Sequence, residues 1–107
     1  MPNATPARAQ ASPDPGDVIA ALTTTIQDRI THPREGSYTN RLLSAGKAEM
    51  LKKVGEEAAE VIVAGAIESK ERVVYETADL LYHLLVLLSS QGLTWADIEA
   101  ELARRFK

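Results

Sequence analysis

Apolar residues recur along this chain at intervals of three and four, which is the period of an α-helix. This pattern predicts a first helix that starts near Asp17 and is ended by Pro33 and Gly36. A short second helix, capped by Ser37 or Thr39, is expected to finish at Gly46. Alternation of the kind that marks a β-strand is missing. The expected buried positions of the first helix are Val18, Ile19, Leu22, Ile26 and Ile30.

The second half of the chain predicts three more helices. One runs from Lys47 to Ile67, one from Ser69 or Lys70 to Ser90, and the last opens at Thr94. The 69–90 helix is apolar almost all the way round, so we expect it at the centre of the fold. The fold class is therefore all-α, a helical bundle of four to five helices. Expected core positions are Met50, Val54, Ala58, Val61 and Gly65, and in the last helix Trp95, Ile98, Leu102 and Phe106.

Acidic residues interrupt the apolar pattern of two of these helices. Glu57 and Glu60 are three residues apart, as are Glu76 and Asp79, so each pair lies on one side of its helix. Acids in an apolar helix are costly unless they are compensated, and four carboxylates on facing helices form a candidate site for a divalent metal. An all-oxygen ligand set suits Mg²⁺, or Mn²⁺, better than Zn²⁺. Glu56 points away from the core and is expected to be more exposed.

Composition narrows the possible functions. The 107 residues carry a net charge of −3 and no cysteine, which argues against nucleic-acid or membrane-surface binding and excludes thiolate metal sites. No signal peptide and no run of eighteen apolar residues is recognisable, so the expected location is cytoplasmic. Residues 1–16, rich in Pro and Ala, are expected to be a disordered tail preceding one domain over 17–107. A chain this small buries little surface alone, and dimerisation is expected to complete the bundle.

Two segments resemble a known family. They are Lys-Val-Gly-Glu-Glu-Ala-Ala-Glu-Val, residues 53–61, and Tyr-Glu-Thr-Ala-Asp-Leu-Leu-Tyr-His-Leu, residues 75–84. Both are similar to phosphoribosyl-ATP pyrophosphatases, which belong to the MazG-like superfamily of all-α nucleotide pyrophosphatases. The resemblance implies Mg²⁺-dependent hydrolysis of 1-(5-phosphoribosyl)-ATP to 1-(5-phosphoribosyl)-AMP and pyrophosphate, the second step of histidine biosynthesis. It also implies a homodimer.

By the same resemblance, the metal ligands would be Glu57, Glu60, Glu76 and Asp79. Glu56 and Glu57 are the catalytic candidates, with Glu56 orienting the attacking water or taking its proton. Candidate contacts to substrate or phosphate are Lys53, Ser37, Tyr38, Thr39, Arg41 and His83, although His83 is also a candidate for a histidine satisfied within the core. Two alternatives stay open: a house-cleaning pyrophosphatase acting on dCTP, dUTP or damaged nucleotides, and a non-catalytic helical protein whose acids serve an interface.

Overall fold

The computed structural model describes residues 12–107, which contain helices and loops but no strand. A 3-10 turn, Pro15–Asp17, leads into the first helix. The α-helices are α1 (Val18–Thr31), α2 (Tyr38–Ala45), α3 (Lys47–Ile67), α4 (Lys70–Ser90) and α5 (Trp95–Arg104). The all-α prediction is confirmed. The predicted tail, residues 1–16, lies largely outside the described residues, and its last two residues belong to the 3-10 turn.

Local chemistry fixes the ends of these helices. The Ser37 side chain accepts a hydrogen bond from the backbone N–H of Asn40 at the start of α2, which satisfies one of the unpaired donors of the first turn. Ser69 does the same for α4. Gly46 has a φ of +98°, a conformation that glycine adopts easily, and it separates α2 from α3 by a single residue. Thr94 and Asp97 form a capping box at the start of α5.

The α3–α4 hairpin is the central element of the fold. Only Glu68 and Ser69 connect these two 21-residue helices, so they run antiparallel and pack along much of their length. Helices α1 and α2 pack against α4, while α5 packs mainly on α1. The buried apolar cluster therefore lies among α1, α2, α3 and the C-terminal half of α4. It consists of Ile26, Leu42, Met50, Leu85 and Val86.

Several predicted core and cap positions were wrong. Ala64, not Gly65, is the buried residue near the end of α3, because the helical period of 3.6 places Ala64 on the side facing α4. Ile30 is exposed in the last turn of α1. Asp17 precedes α1, as predicted, but its side chain makes no capping hydrogen bond. Of the two candidate caps of α2, Ser37 is the cap, and Thr39 lies inside the first turn.

The predicted core face of α5 is only partly correct. Trp95 is half-buried and packs against the apolar cluster, and Ile98 is also half-buried. Leu102 is exposed, and Phe106 lies beyond the end of the helix with 87% of its surface accessible. Since α5 contacts little besides α1, only one side of its first two turns is covered.

Helix α4 is long and apolar enough to cross a membrane by length and composition alone. It also carries the buried polar residues Glu76 and His83, and three other helices pack against it. An ionisable group within a bilayer is costly. The apolar character of α4 therefore fits the central helix of a bundle.

Candidate metal centre

The hairpin geometry brings the two acidic pairs together. Glu57 on α3 and Asp79 on α4 lie at about equal distances along the chain from the connection between the helices, as do Glu60 and Glu76. In an antiparallel hairpin, residues equidistant from the turn lie at the same level. The spacing of three within each pair then turns both members of a pair toward the neighbouring helix.

Three of the predicted ligands form a compact group. Glu57, Glu76 and Asp79 each place one carboxylate oxygen within 4.8 Å of the other two. Glu76 is buried, and Glu57 and Asp79 are half-buried. One oxygen of Glu57 and one of Glu76, Oε1 in each case, are buried without a hydrogen-bond partner among the described residues. Buried carboxylate oxygens are normally paired, so these two are available to a ligand.

A divalent cation fits this group of oxygens. Mg²⁺ binds oxygen at about 2.1 Å, so two ligands on opposite sides of it are about 4 Å apart. The three carboxylate oxygens are within reach of that separation after a small adjustment. Their negative charges repel one another in a partly buried site, and a cation would remove that repulsion while satisfying the two unpaired oxygens.

The fourth predicted ligand, Glu60, is exposed at the edge of the group. The neighbouring Glu76 carboxyl raises the pKa of the Glu60 carboxyl above its ordinary value, and the negative charge of Glu57 raises it further. These causes show that Glu60 belongs to the same electrostatic cluster as Glu57 and Glu76. We call Glu57, Glu60, Glu76 and Asp79 the acidic cluster.

The remaining catalytic candidate lies just outside this cluster. Glu56 is exposed, as predicted, and its carboxylate is 3.9 Å from the ammonium of Lys53. Lys53 is half-buried on the same helix, one turn before Glu57. The structure thus places a carboxylate not engaged with the other acids, together with a cation, beside the acidic cluster.

A network of aromatic side chains joins α2 to α4 next to the acids. The Nδ1–H of His83 donates to the backbone carbonyl of Asp79 at 2.9 Å. A neutral ring then leaves Nε2 as an acceptor for the Tyr38 hydroxyl at 3.0 Å. The adjacent residues Thr39 and Tyr82 hydrogen-bond to each other through their hydroxyls. Both nitrogens of the buried His83 are therefore used within the fold.

The other predicted substrate contacts are on α2. The Ser37 hydroxyl caps α2, and the guanidinium of Arg41 lies 5.3 Å from the centre of the Tyr38 ring. Arg41 and Ser37 also line, with Arg34, an open depression of about 610 Å³ formed by the α1–α2 loop and α2. The structure thus separates the predicted residues into the acidic cluster and a polar surface on α2 that is hydrogen-bonded to α4.

The family model of phosphoribosyl-ATP pyrophosphohydrolases matches residues 19–106 of this chain, which include all five helices apart from the first residue of α1. The chain belongs to that family. This confirms the resemblance drawn from the acidic motifs.

Individual relatives agree with the family match. The phosphoribosyl-ATP pyrophosphatase of Metallosphaera sedula is 50% identical over 91 residues, which is 85% of this chain and 98% of the relative. The enzyme of the same name from Limosilactobacillus fermentum is 52% identical over 87 residues, 81% of this chain and 82% of the relative. A histidine biosynthesis bifunctional protein, HisIE, of Caldanaerobacter subterraneus subsp. tengcongensis is 48% identical over 91 residues, 85% of this chain but 44% of the relative.

Two residues with evident roles in this member of the pyrophosphohydrolase family were missed from the sequence. Asn40 holds the α1–α2 loop, since its side chain accepts from the Arg34 backbone N–H and donates to the Arg29 carbonyl, each at 2.8 Å. Arg72 pairs with the buried Glu76. An arginine four residues before a glutamate is usually a solvated pair, and only the burial of Glu76, which the apolar run around it suggests, could have singled this one out.

Proposed function

We propose that this protein hydrolyses 1-(5-phosphoribosyl)-ATP to 1-(5-phosphoribosyl)-AMP and pyrophosphate, with Mg²⁺ held by the acidic cluster. One observation carries the proposal. In a chain of this family, carboxylate oxygens from α3 and α4 lie within 4.8 Å of one another, and two oxygens of these acids are buried without hydrogen-bond partners in the described part of the chain. The substrate is the one named by the curated relatives.

In this proposal Glu57, Glu76 and Asp79 hold the metal, and Glu60 joins them from the edge of the cluster. Mn²⁺ would suit the same hard oxygen ligands. When bound, the metal supplies positive charge against the phosphate oxygens and acidifies a water molecule. The ligands come from two rigid helices, which suits a site that must hold its geometry.

Residues around the cluster would act on the substrate. Glu56, which is exposed and outside the group of three oxygens, would orient the attacking water or accept its proton. Lys53 would contact a phosphate oxygen once it leaves Glu56, 3.9 Å away. The polar surface of α2, with Ser37, Tyr38, Thr39 and Arg41, would contact phosphate or ribose. In this arrangement His83 supports the substrate surface by holding Tyr38.

A homodimer is the second part of the proposal. Large apolar side chains are exposed near the closed end of the α3–α4 hairpin, beside the acidic cluster, and exposed apolar groups of this kind are typical of interfaces. The set is Ile62, Val63, Ile67, Val74 and Tyr75. Covering it with a second copy would give a small domain the buried area that it lacks. We expect the dimer to act in the cytoplasm on a small-molecule substrate, without nucleic acid or membrane.

Pyrophosphate release tests the activity. The purified protein is assayed with phosphoribosyl-ATP, ATP, dCTP and dUTP, each with Mg²⁺ and with EDTA. Rapid, EDTA-sensitive release from phosphoribosyl-ATP alone is expected. Preference for a deoxynucleotide would leave the metal-site proposal standing, but the substrate would then be that of a house-cleaning pyrophosphatase. A folded protein that releases nothing would support the non-catalytic alternative.

Sedimentation velocity tests the dimer. Val74→Glu and Ile62→Glu place charges in the exposed apolar set and are expected to shift the protein toward monomer. Phe106→Glu is the matched control, because Phe106 is equally apolar and exposed but lies at the end of α5. Wild-type protein that sediments as a monomer at micromolar concentration would contradict this part of the proposal.

A further inference from the structure

Arg72 occupies a position that is unfavourable for a cation. It lies in the first turn of α4, where its backbone N–H is bonded to the cap residue Ser69. The N-terminus of a helix carries partial positive charge, so a cation there is destabilising unless acids offset it. The Arg72 guanidinium contacts the Glu76 carboxylate, lies 3.8 Å from Glu68 and packs 4.6 Å from the centre of the Tyr75 ring.

The partner of Arg72 differs from the acids in the other ion pairs of residues 12–107. The Glu76 side chain is 6% exposed, whereas the acids of the other pairs are 40–47% exposed. Exposed pairs contribute little to stability. A buried carboxylate, by contrast, depends on its partner, because a buried charge without one is costly.

The two oxygens of Glu76 are used differently. Oε2 accepts a hydrogen bond from Nη2 of Arg72, while Oε1 is buried without a partner among the described residues. Glu76 is also one of the three acids whose oxygens lie within 4.8 Å of one another. An arginine that fixes one oxygen leaves the carboxylate a single orientation in which to offer the other.

We propose that Arg72 is a positioning residue that holds Glu76 by Oε2 so that Oε1 is presented to the divalent metal. The inference rests on the proposed function, since it requires the acidic cluster to bind a cation. The contact to Glu68 and the packing on Tyr75 hold the guanidinium itself in place. Hydrogen bonds to ligating carboxylates are a general means of orienting them.

Direct titration with Mn²⁺ in the absence of substrate, followed by electron paramagnetic resonance, tests this role in the full-length protein. Arg72→Gln is expected to weaken Mn²⁺ binding about tenfold or more, the range for the loss of a group that orients a metal ligand. Arg72→Lys keeps the positive charge but not the planar guanidinium, and its Mn²⁺ affinity is expected to lie between those of the wild type and Arg72→Gln. Arg104→Gln is the matched control, since it breaks an ion pair with Glu101 on α5 and should leave Mn²⁺ binding unchanged.

Lys53→Gln separates positioning from charge. Like Arg72→Gln, it removes one positive charge beside the acids, from a lysine that pairs with Glu56. Because less positive charge then repels the cation, Lys53→Gln should tighten or preserve Mn²⁺ binding. Tighter binding by Arg72→Gln as well would show that Arg72 competes with the metal, and the proposal would be overturned. If Arg72→Gln keeps the wild-type Mn²⁺ affinity but melts at a lower temperature in EDTA, Arg72 is merely structural and the proposal is overturned.

Two further outcomes are decided by the same titration. If Arg72→Gln does not fold, as judged by circular dichroism, the comparison is made with Arg72→Lys, and wild-type affinity in that variant overturns the proposal. If wild-type protein binds no Mn²⁺, the proposed metal site and the role of Arg72 fail together. If the wild-type protein binds Mn²⁺ and releases pyrophosphate while the Arg72 variants keep the wild-type affinity, the role of Arg72 is overturned and the proposed function stands.

Discussion

Two groups of charged residues in this molecule combine carboxylates and arginines in opposite proportions. The acidic cluster on α3 and α4 gathers four carboxylates, with one arginine in direct contact. On α5 the ratio is reversed, because the single carboxylate of Glu101 is bonded to both Arg104 and Arg105. The Glu101 carboxylate is paired with both arginines, whereas the acidic cluster contains two oxygens that are buried without a hydrogen-bond partner among residues 12–107.

The pKa shifts follow this difference in charge. Hydrogen bonds from Arg104, and then from Arg105, hold the pKa of Glu101 below its ordinary value. The neighbouring Glu76 carboxyl, and then the charge of Glu57, raise the pKa of Glu60. The neighbouring acids thus disfavour the ionised form of Glu60, and a perturbed pKa of this kind is typical of functional sites. The contrast therefore separates a solvated ion pair from the acidic cluster that we propose as the metal site.

Removal of a proposed metal ligand is expected to have the largest effect. Asp79→Asn keeps the shape of the side chain but weakens its interaction with a hard cation, and turnover of phosphoribosyl-ATP should fall by at least about a hundredfold, beyond the range for groups that only orient ligands. Glu101→Gln, the equivalent change on α5, should leave turnover unchanged. In EDTA the Asp79→Asn protein should be no less stable than wild type, because one like charge is gone. Near-normal turnover would remove Asp79 from the ligands.

Metal addition should stabilise the acidic cluster specifically. A ligand present at a hundred times its dissociation constant adds about 2.7 kcal/mol to the free energy of unfolding. Millimolar Mg²⁺ should accordingly raise the melting temperature of the wild-type protein relative to EDTA, and of Glu101→Gln by the same amount. Asp79→Asn should show little of this increase. A wild-type melting temperature that Mg²⁺ leaves unchanged would contradict the metal site.

The two charged groups were not equally predictable from the sequence. Spacing of three on an apolar helix was enough to bring Glu57, Glu76 and Asp79 together, because a hairpin with a two-residue connection leaves little choice of level. The pairing of Arg72 with Glu76 was missed, since its significance depends on burial that tertiary packing decides. Helix ends followed local capping at Ser37 and Ser69. The exposure of Phe106 could not be predicted, because it depends on how little of α5 the other helices cover.

A smaller effect is expected from the network that joins α2 to α4. Tyr38→Phe removes the hydroxyl that donates to Nε2 of the buried His83, and the lost hydrogen bond should lower the free energy of unfolding by about 1 kcal/mol. If Tyr38 also places the substrate surface of α2, KM for phosphoribosyl-ATP should rise while Mn²⁺ affinity stays at the wild-type value. Thr31→Val is the control, because its hydroxyl bonds only to carbonyls of its own helix. A wild-type KM in Tyr38→Phe would restrict Tyr38 to a structural role.

The smallest expected effect is a difference in pH dependence between the two groups, measured in EDTA. The ordinary pKa of both carboxyls is 4.5. Because the folded-state pKa of Glu60 is raised, Glu60 contributes stability below pH 4.5 that is lost as the pH rises through the raised value. Glu101 has a lowered pKa and behaves in the opposite way, contributing stability above pH 4.5 that is lost as the pH falls through the lowered value.

Melting temperatures of the wild type, Glu60→Gln and Glu101→Gln between pH 3.5 and 7 test this opposition. The difference between wild type and Glu60→Gln should turn against the wild type as the pH rises above 4.5. For Glu101→Gln, the wild-type advantage should be present at pH 7 and shrink below pH 4.5. Each variant removes one titrating group, so the differences isolate it from the rest of the chain. If the two melting-temperature differences change with pH in the same direction, the two groups do not differ in charge environment. The contrast between them would then rest on burial alone.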